Sequence, residues 1–154
     1  MKLTRKRIHI TFQILLALDK PISKASPKRF DFSRKGNYAL GRHLRAMKSR
    51  FEEIEEERGV MQKEFDPERK TSEVIKVDPI GNPIYGRISD EKQAEWDARH
   101  KAYMAEEVDY ESPPVNFKYS DLQPEKNPDL QQVAINELFE AGILEDDFKE
   151  EEAK

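Results

Sequence analysis

The sequence predicts an α+β fold that is mainly α-helical: one long amphipathic helix, three shorter helices and a small antiparallel sheet with a β-hairpin. Two observations carry this prediction. Between Asn37 and Phe65, apolar residues recur at alternating four- and three-residue steps, which is the spacing of one helix face. Further along, two short runs rich in Val, Ile and Tyr flank the turn sequence Gly81-Asn82-Pro83, as in a hairpin.

The first helix is predicted to run from Arg5 to Asp19. Thr4 is a suitable N-cap, and Pro21 cannot continue a helix. Three basic residues lie at the N-terminal end, where the helix dipole disfavours positive charge: Arg5, Lys6 and Arg7. This placement indicates a negatively charged partner, and we favour the acidic part of the same chain over a foreign molecule.

The loop from Pro21 to Lys35 is basic and contains two aromatic residues, Phe30 and Phe32. Its basic residues nearest the long helix are Lys28, Arg29, Arg34 and Lys35. One interpretation is an arm that contacts phosphates. We favour the other, in which both phenylalanines pack beneath the long helix.

The long helix is the scaffold of the predicted fold, with a length of about 45 Å and Ser33 or Asn37 as its cap. Its first half adds Arg42 and Arg45 to the basic surface, and its second half is rich in Glu. Opposite charges along one helix favour antiparallel pairing with a second copy. The apolar stripe predicted to serve as an interaction surface consists of Leu40, Leu44, Met47, Phe51 and Ile54.

Four further elements are predicted after the long helix. The hairpin strands are residues 74–77 and 84–88, and a third helix begins after Ser89, ends near residue 107 and packs antiparallel on the long helix. Alternating apolar residues at 115–119 predict a strand that pairs with the hairpin. The last helix is expected to begin at Asn127-Pro128-Asp129 and to end before Gly142.

Charge divides the chain into two halves. Residues 1–50 contain fourteen Lys and Arg against two Asp, whereas residues 51–154 contain thirteen Lys and Arg against twenty-nine Asp and Glu. We expect a single domain over residues 1–144, with a basic part (1–50) and an acidic part (51–144). Residues 145–154 form an acidic tail that we expect to be disordered in a free monomer.

The residue inventory gives no sign of catalysis. The chain has no cysteine, its three histidines lack metal-ligand spacing, and no nucleophile motif occurs. We therefore expect no catalytic residues, no metal and no cofactor. The longest apolar run is too short to cross a bilayer, and the N-terminus lacks a signal-peptide pattern, so we expect a cytosolic protein without membrane contact.

Several short sequences occur in a familiar order: Met1-Lys2-Leu3, Lys20-Pro21-Ile22, the long helix, Gly81-Asn82, Trp96, Glu107-Val108-Asp109 and Ser120-Asp121-Leu122. In this order they resemble a group of small bacteriophage proteins of unknown function, the DUF1617 type, over residues 1–144, with the hairpin around Pro79 as an insertion. The resemblance implies a phage context, often among late, virion-related genes, and no catalytic residues.

Three functions follow as expectations. The first is a non-enzymatic phage accessory or minor virion or assembly protein that acts through protein–protein contacts. It would bind phage-encoded structural proteins, form homo-oligomers and occur in the host cytoplasm or the virion. The second is an inhibitor or regulator of a host nucleic-acid enzyme that uses the acidic half. The third is a nucleic-acid-binding protein that uses the basic N-terminal half.

Overall fold

The computed structural model describes residues 1–19 and 30–146, which are mainly helical with short antiparallel strands, as the sequence predicts. The described residues divide into two compact units, the first containing residues 1–19, 30–51 and 107–146 and the second residues 52–106. The helices and strands are β1 (Lys2–Thr4), α1 (Arg5–Asp19), α2 (Arg34–Phe65), β2 (Val74–Val77), β3 (Pro83–Tyr85), α3 (Asp90–Ala105), β4 (Glu107–Asp109) and α4 (Gln132–Glu140).

Helix α1 has the predicted bounds and the predicted cap. The hydroxyl oxygen of Thr4 accepts a hydrogen bond from the backbone N–H of Arg7 at 3.0 Å, which satisfies one of the free donors of the first turn. Ile8, Phe12 and Leu15 are buried along one face. The four- and three-residue spacing of these side chains therefore places α1 against the core of the first unit.

Helix α2 begins at Arg34, three residues before the predicted start, with Ser33 as its cap. The hydroxyl of Ser33 accepts from the N–H of Gly36 at 3.0 Å and donates to the carboxylate of Asp121 at 2.8 Å. The backbone N–H of Ser33 also donates to the carbonyl of Asp121, at 2.9 Å. A Cβ at Gly36 would lie only 2.8 Å from that carbonyl oxygen, so this close approach requires glycine.

The apolar stripe of α2 is used mainly for burial within the chain. Leu40 and Met47 are buried in the first unit, and Ile54 is buried in the second. Leu44 and Phe51 are half-buried, and Phe51 stacks on Phe12 with ring centroids 4.4 Å apart. Because these side chains already have packing partners, a surface of α2 that is available to another molecule must lie on its other faces.

Within the described residues, the strands form two antiparallel pairs, one of which is the predicted hairpin. Strand β1 pairs antiparallel with β4, with Leu3 opposite Val108, and β2 pairs with β3 as the predicted hairpin. The predicted strand at 115–119 is wrong. The N–H of Lys118 donates to the carboxylate of Asp121 at 3.0 Å, which turns the chain into a short 3₁₀ helix, Tyr119–Leu122.

The last helix begins at Gln132, later than predicted, because Asn127 has a different role. Asn127 is buried, its side-chain amide donates to the carbonyls of Asp31 and Leu122, and its side-chain oxygen accepts from the N–H of Asp31. It joins two loops instead of capping a helix. Of the predicted tail, Glu145 is held by backbone hydrogen bonds to Phe117 and Tyr119, and residues 147–154 lie outside the described residues.

The second unit is built on an antiparallel helix pair, as predicted for α3 and the second part of α2. Trp96 packs edge-on against Phe65 at 5.9 Å, and the Nε–H of Arg58 donates to His100 at 2.9 Å. After α2, the carboxylate of Asp66 accepts hydrogen bonds from the hydroxyl of Thr71 and from the backbone N–H groups of Thr71 and Lys70. These hydrogen bonds hold the pKa of Asp66 below its usual value.

Candidate interaction surfaces

A basic surface lies on α2, on the side opposite its buried residues. We call it the cationic face, and it consists of Arg34, Lys35, Tyr38, Arg42 and Arg45. At about 100° per residue these positions fall within one arc of roughly 100°, opposite the buried residues His43 and Met47. Arg34, Lys35 and Arg45 are exposed.

Tyr38 gives the cationic face an aromatic centre. Its side chain is 57% exposed, although it is large and mostly apolar. The guanidinium of Arg42 lies over the ring, 5.9 Å from its centroid, and donates to the hydroxyl at 3.2 Å. This contact orders the two side chains at the surface, where they are available to a partner.

The other predicted basic residues do not extend the cationic face. Arg7 forms ion pairs with Glu137 and Glu140 of α4, so its charge is matched by an acidic segment of the same chain, as favoured from the sequence. Lys6 is exposed and Arg5 is half-buried on α1. Lys28 and Arg29 lie outside the described residues.

The phenylalanines of the basic loop are buried. Phe30 and Phe32 are stacked on each other with centroids 5.7 Å apart, and neither ring is open to solvent. Stacking on nucleic-acid bases requires an exposed ring. The interpretation of this pair as aromatic anchors of a phosphate-contacting arm is therefore wrong, and Tyr38 is the exposed aromatic residue among the basic ones on α2.

An acidic groove of about 720 Å³ runs between α2 and α3 in the second unit. Its α2 side consists of Glu53, Glu56, Glu57, Val60, Met61 and Glu64, and its α3 side of Arg99, Ala102, Tyr103 and Glu106. Val60 is 55% exposed within it. Arg99 binds Glu64, and the hydroxyl of Tyr103 donates to Glu57, so α3 orients part of the acidic wall.

The β2–β3 hairpin exposes an unusual number of large apolar side chains. These are Val74, Ile75, Val77, Ile80 and Tyr85. Ile75 is 61% exposed and Ile80, at the tip, is 86% exposed. The tip is held in shape because the carboxylate of Asp78 accepts from the N–H of both Ile80 and Asn82. An ordered cluster of exposed apolar residues is typical of a binding surface.

Sequence reasoning identified the hairpin but not its exposure, and it identified the acidic run but not the groove. Periodicity places residues on a face of one element. It does not show whether a second element covers that face. The signal that could have pointed to the exposure of the hairpin is the segment Val74-Ile75-Lys76-Val77, which has apolar residues on both faces of the strand instead of the polar alternation of a half-buried strand.

Four side chains have buried polar atoms without a hydrogen-bond partner among the described residues: Thr11, His43, Tyr110 and Gln123. Both ring nitrogens of His43 and the hydroxyl of Tyr110 have no hydrogen-bond partner there. Burial lowers the pKa of His43 to about 4 and raises the pKa of Tyr110 to about 12. At neutral pH both groups are therefore uncharged, and neither has the paired donor or acceptor that acid–base catalysis uses.

Within residues 1–19 and 30–146, no group of three or more His, Asp and Glu side chains comes together in an arrangement that could hold a metal ion. Over the same residues, no helix has the length and apolar character needed to span a bilayer.

Comparison with known proteins adds no relative. No protein-family model matches the chain, and no curated protein and no solved structure matches it significantly.

Proposed function

We propose that this protein is a non-enzymatic bacteriophage accessory or minor virion or assembly protein that acts through protein–protein contacts. The observation that carries the proposal is the apolar surface of the β2–β3 hairpin. Ile75 and Ile80 are the largest exposed aliphatic side chains on it. Burying one such side chain in a partner contributes about 1.5 to 3 kcal/mol, so a few of them account for a stable contact.

The hairpin is suited to contact through side chains. Its pairing register shifts between Val74 and Lys76, which interrupts the regular outer edge of β2. A regular edge is what an added strand from another protein requires. The partner of this proposal therefore contacts the apolar side chains instead of extending the ladder.

The phage context is supported by the resemblance of the element order to small phage proteins. In that context the partners are phage-encoded structural proteins, and the protein occurs in the host cytoplasm during infection and in the virion. The exposure of the hairpin side chains does not depend on the phage context. The hairpin contact and the virion location therefore have separate tests.

The test is a capture experiment in lysate of the cells that express the gene, followed by mass spectrometry. We compare the wild type with Ile75→Ser/Ile80→Ser and with the matched control Val133→Ser, an exposed apolar residue on α4. We expect the wild type and the control to retain an assembly protein that the double variant loses. Equal capture by all three proteins would refute the hairpin contact, and absence from purified particles would refute the virion location.

The acidic groove favours a second candidate, an inhibitor or regulator of a host nucleic-acid enzyme. Glu53, Glu56 and Glu57 lie along one wall, and closely spaced carboxylates can imitate a phosphate backbone. This candidate predicts that a nuclease or polymerase is captured and that its activity falls when the protein is added. Retention of that activity at saturating protein would refute it.

A further inference from the structure

We infer that the cationic face of one copy docks antiparallel into the acidic groove of a second copy, along the α2 side of that groove. This inference goes beyond the proposed function, since it concerns self-association and a surface that does not include the hairpin. Both surfaces belong to α2: the cationic face lies in its first half and the groove wall in its second half.

The two surfaces match at four positions. Starting at Arg34 and leaving out Lys35, the cationic face has the order cation, aromatic, cation, cation, at steps of four, four and three residues. Followed backwards from Glu64, the groove wall has the order anion, aliphatic, anion, anion, at the same steps. An antiparallel alignment therefore pairs Arg34 with Glu64, Tyr38 with Val60, Arg42 with Glu56 and Arg45 with Glu53.

The apolar pair is the strongest part of this match. Tyr38 and Val60 are both more than half exposed, at 57% and 55%. On the helix surface Tyr38 lies between Arg34 and Arg42, and Val60 lies between Glu56 and Glu64. In the alignment they meet each other, so both would leave water together. Apolar contacts enclosed by complementary charges are the usual anatomy of a specific helix–helix interface.

One glycine on α2 is consistent with the close approach of another helix. Within the described residues, a Cβ added at Gly41 would meet only the guanidinium of Arg45, at 3.7 Å. Glycine inside a helix is unfavourable, and packing among the described residues does not explain this one. Gly41 borders the cationic face next to Arg42.

The occupant favoured by the charges is a second copy and not a nucleic acid. The first unit has eighteen Lys and Arg against sixteen Asp and Glu, so its net charge of +2 is small for a phosphate-binding body. A nucleic acid bound to the cationic face would also leave Val60 exposed, and its phosphates would be repelled by the carboxylates that line the groove. A second copy satisfies both surfaces at once.

The test uses two double charge reversals and their mixture. Arg42→Glu/Arg45→Glu makes the cationic face acidic, and Glu53→Lys/Glu56→Lys makes the groove wall basic. Each variant alone brings like charges together, and we expect its self-association to weaken at least about 100-fold relative to the wild type. An equimolar mixture restores opposite charges between the copies, and we expect it to associate again.

Sedimentation velocity at an ionic strength of about 0.05 M measures these associations, where charge pairs are least screened. Far-ultraviolet circular dichroism confirms folding, and recovery in the mixture shows that both variants are competent. A dimer means that each copy places its cationic face in the acidic groove of the other. A larger species means that the cationic face of the second copy docks into the groove of a third copy. Either result supports the inference.

A control separates this inference from the proposed function. Ile75→Ser/Ile80→Ser is expected to self-associate like the wild type, because the hairpin is not part of the paired surfaces. A monomeric wild type would overturn the inference, as would charge variants that associate normally. A wild type that stays monomeric but binds a labelled oligonucleotide through Arg42 and Arg45 would assign the cationic face to nucleic acid instead.

Discussion

Replacing His43 with leucine should remove a pH-dependent instability of the first unit. His43 is 1% exposed, its ring lies 6.4 Å from that of Phe117, and neither of its nitrogens has a hydrogen-bond partner among the described residues. Burial disfavours the charged imidazolium, which lowers the pKa of His43 from 6.5 to about 4. Protonation therefore favours the unfolded chain.

The sign of this effect fixes the pH window. Because the folded-state pKa lies below the unfolded value of 6.5, the stability associated with neutral His43 is complete above pH 6.5 and is lost as pH falls towards 4. Between pH 7.5 and pH 5 the wild type should lose about 2 kcal/mol through this residue. His43→Leu has no group to protonate at this position, so it should not lose this part of the free energy of unfolding.

Urea unfolding followed by circular dichroism at several pH values between 7.5 and 5 measures the difference directly. The variant should become more stable relative to the wild type as pH falls, by about 2 kcal/mol over this window. His9→Leu is the control, because His9 is half-buried on α1 and its replacement leaves His43 in place. Equal pH dependence in the wild type and His43→Leu would show that burial of the imidazole is not the cause.

Two further predictions concern glycine positions and a buried amide. In helix α2, Gly59→Ala should raise the free energy of unfolding by about 1 kcal/mol, because alanine is the better helix former and no atom of the described residues lies within 4 Å of the new Cβ. Gly36→Ala should lower the free energy of unfolding by about 1 to 3 kcal/mol, because its Cβ would lie 2.8 Å from the carbonyl oxygen of Asp121. Urea unfolding measures both variants, and a change of the same sign in both would contradict this reasoning. Asn127→Ala should destabilise the protein by about 3 kcal/mol, because the carbonyls of Asp31 and Leu122 lose a buried donor. Asn136→Ala, at an exposed position on α4, is the control in thermal unfolding, and equal shifts of the two variants would argue against a special role for Asn127.

Local signals predicted the helices well. The bounds of α1 follow from Thr4 and the proline after Asp19, and α2 and α3 follow from periodicity and from the caps Ser33 and Ser89. In each case the determining interactions lie within a few residues along the chain. Such interactions are visible in a sequence.

The features that were missed depend on contacts between distant residues. Strand β1 is only three residues long, and its partner β4 lies about a hundred residues away, so neither strand has a local signature. Asn127 has the local sequence of a helix start, but its side chain binds Asp31 across the fold. Tertiary hydrogen bonds therefore replaced the local capping pattern.

The candidate surfaces were predictable in part. The positive and negative halves of α2 follow from its sequence, and so does their preference for antiparallel pairing. The groove required the position of α3, and the residues available to a partner required knowledge of burial. The stripe of Leu40, Met47 and Ile54 illustrates the limit, since periodicity alone does not distinguish a core face from an interface.

The most direct test of action through protein contacts is the mass of the wild-type protein in solution, measured by light scattering at low and high salt. Pairing of the cationic face with the acidic groove predicts a dimer or larger species at low salt that dissociates as salt screens the charges. A mass that stays above the monomer at both salt concentrations would indicate that the copies associate through the apolar hairpin instead. A monomer at both would contradict the pairing of the two charged surfaces.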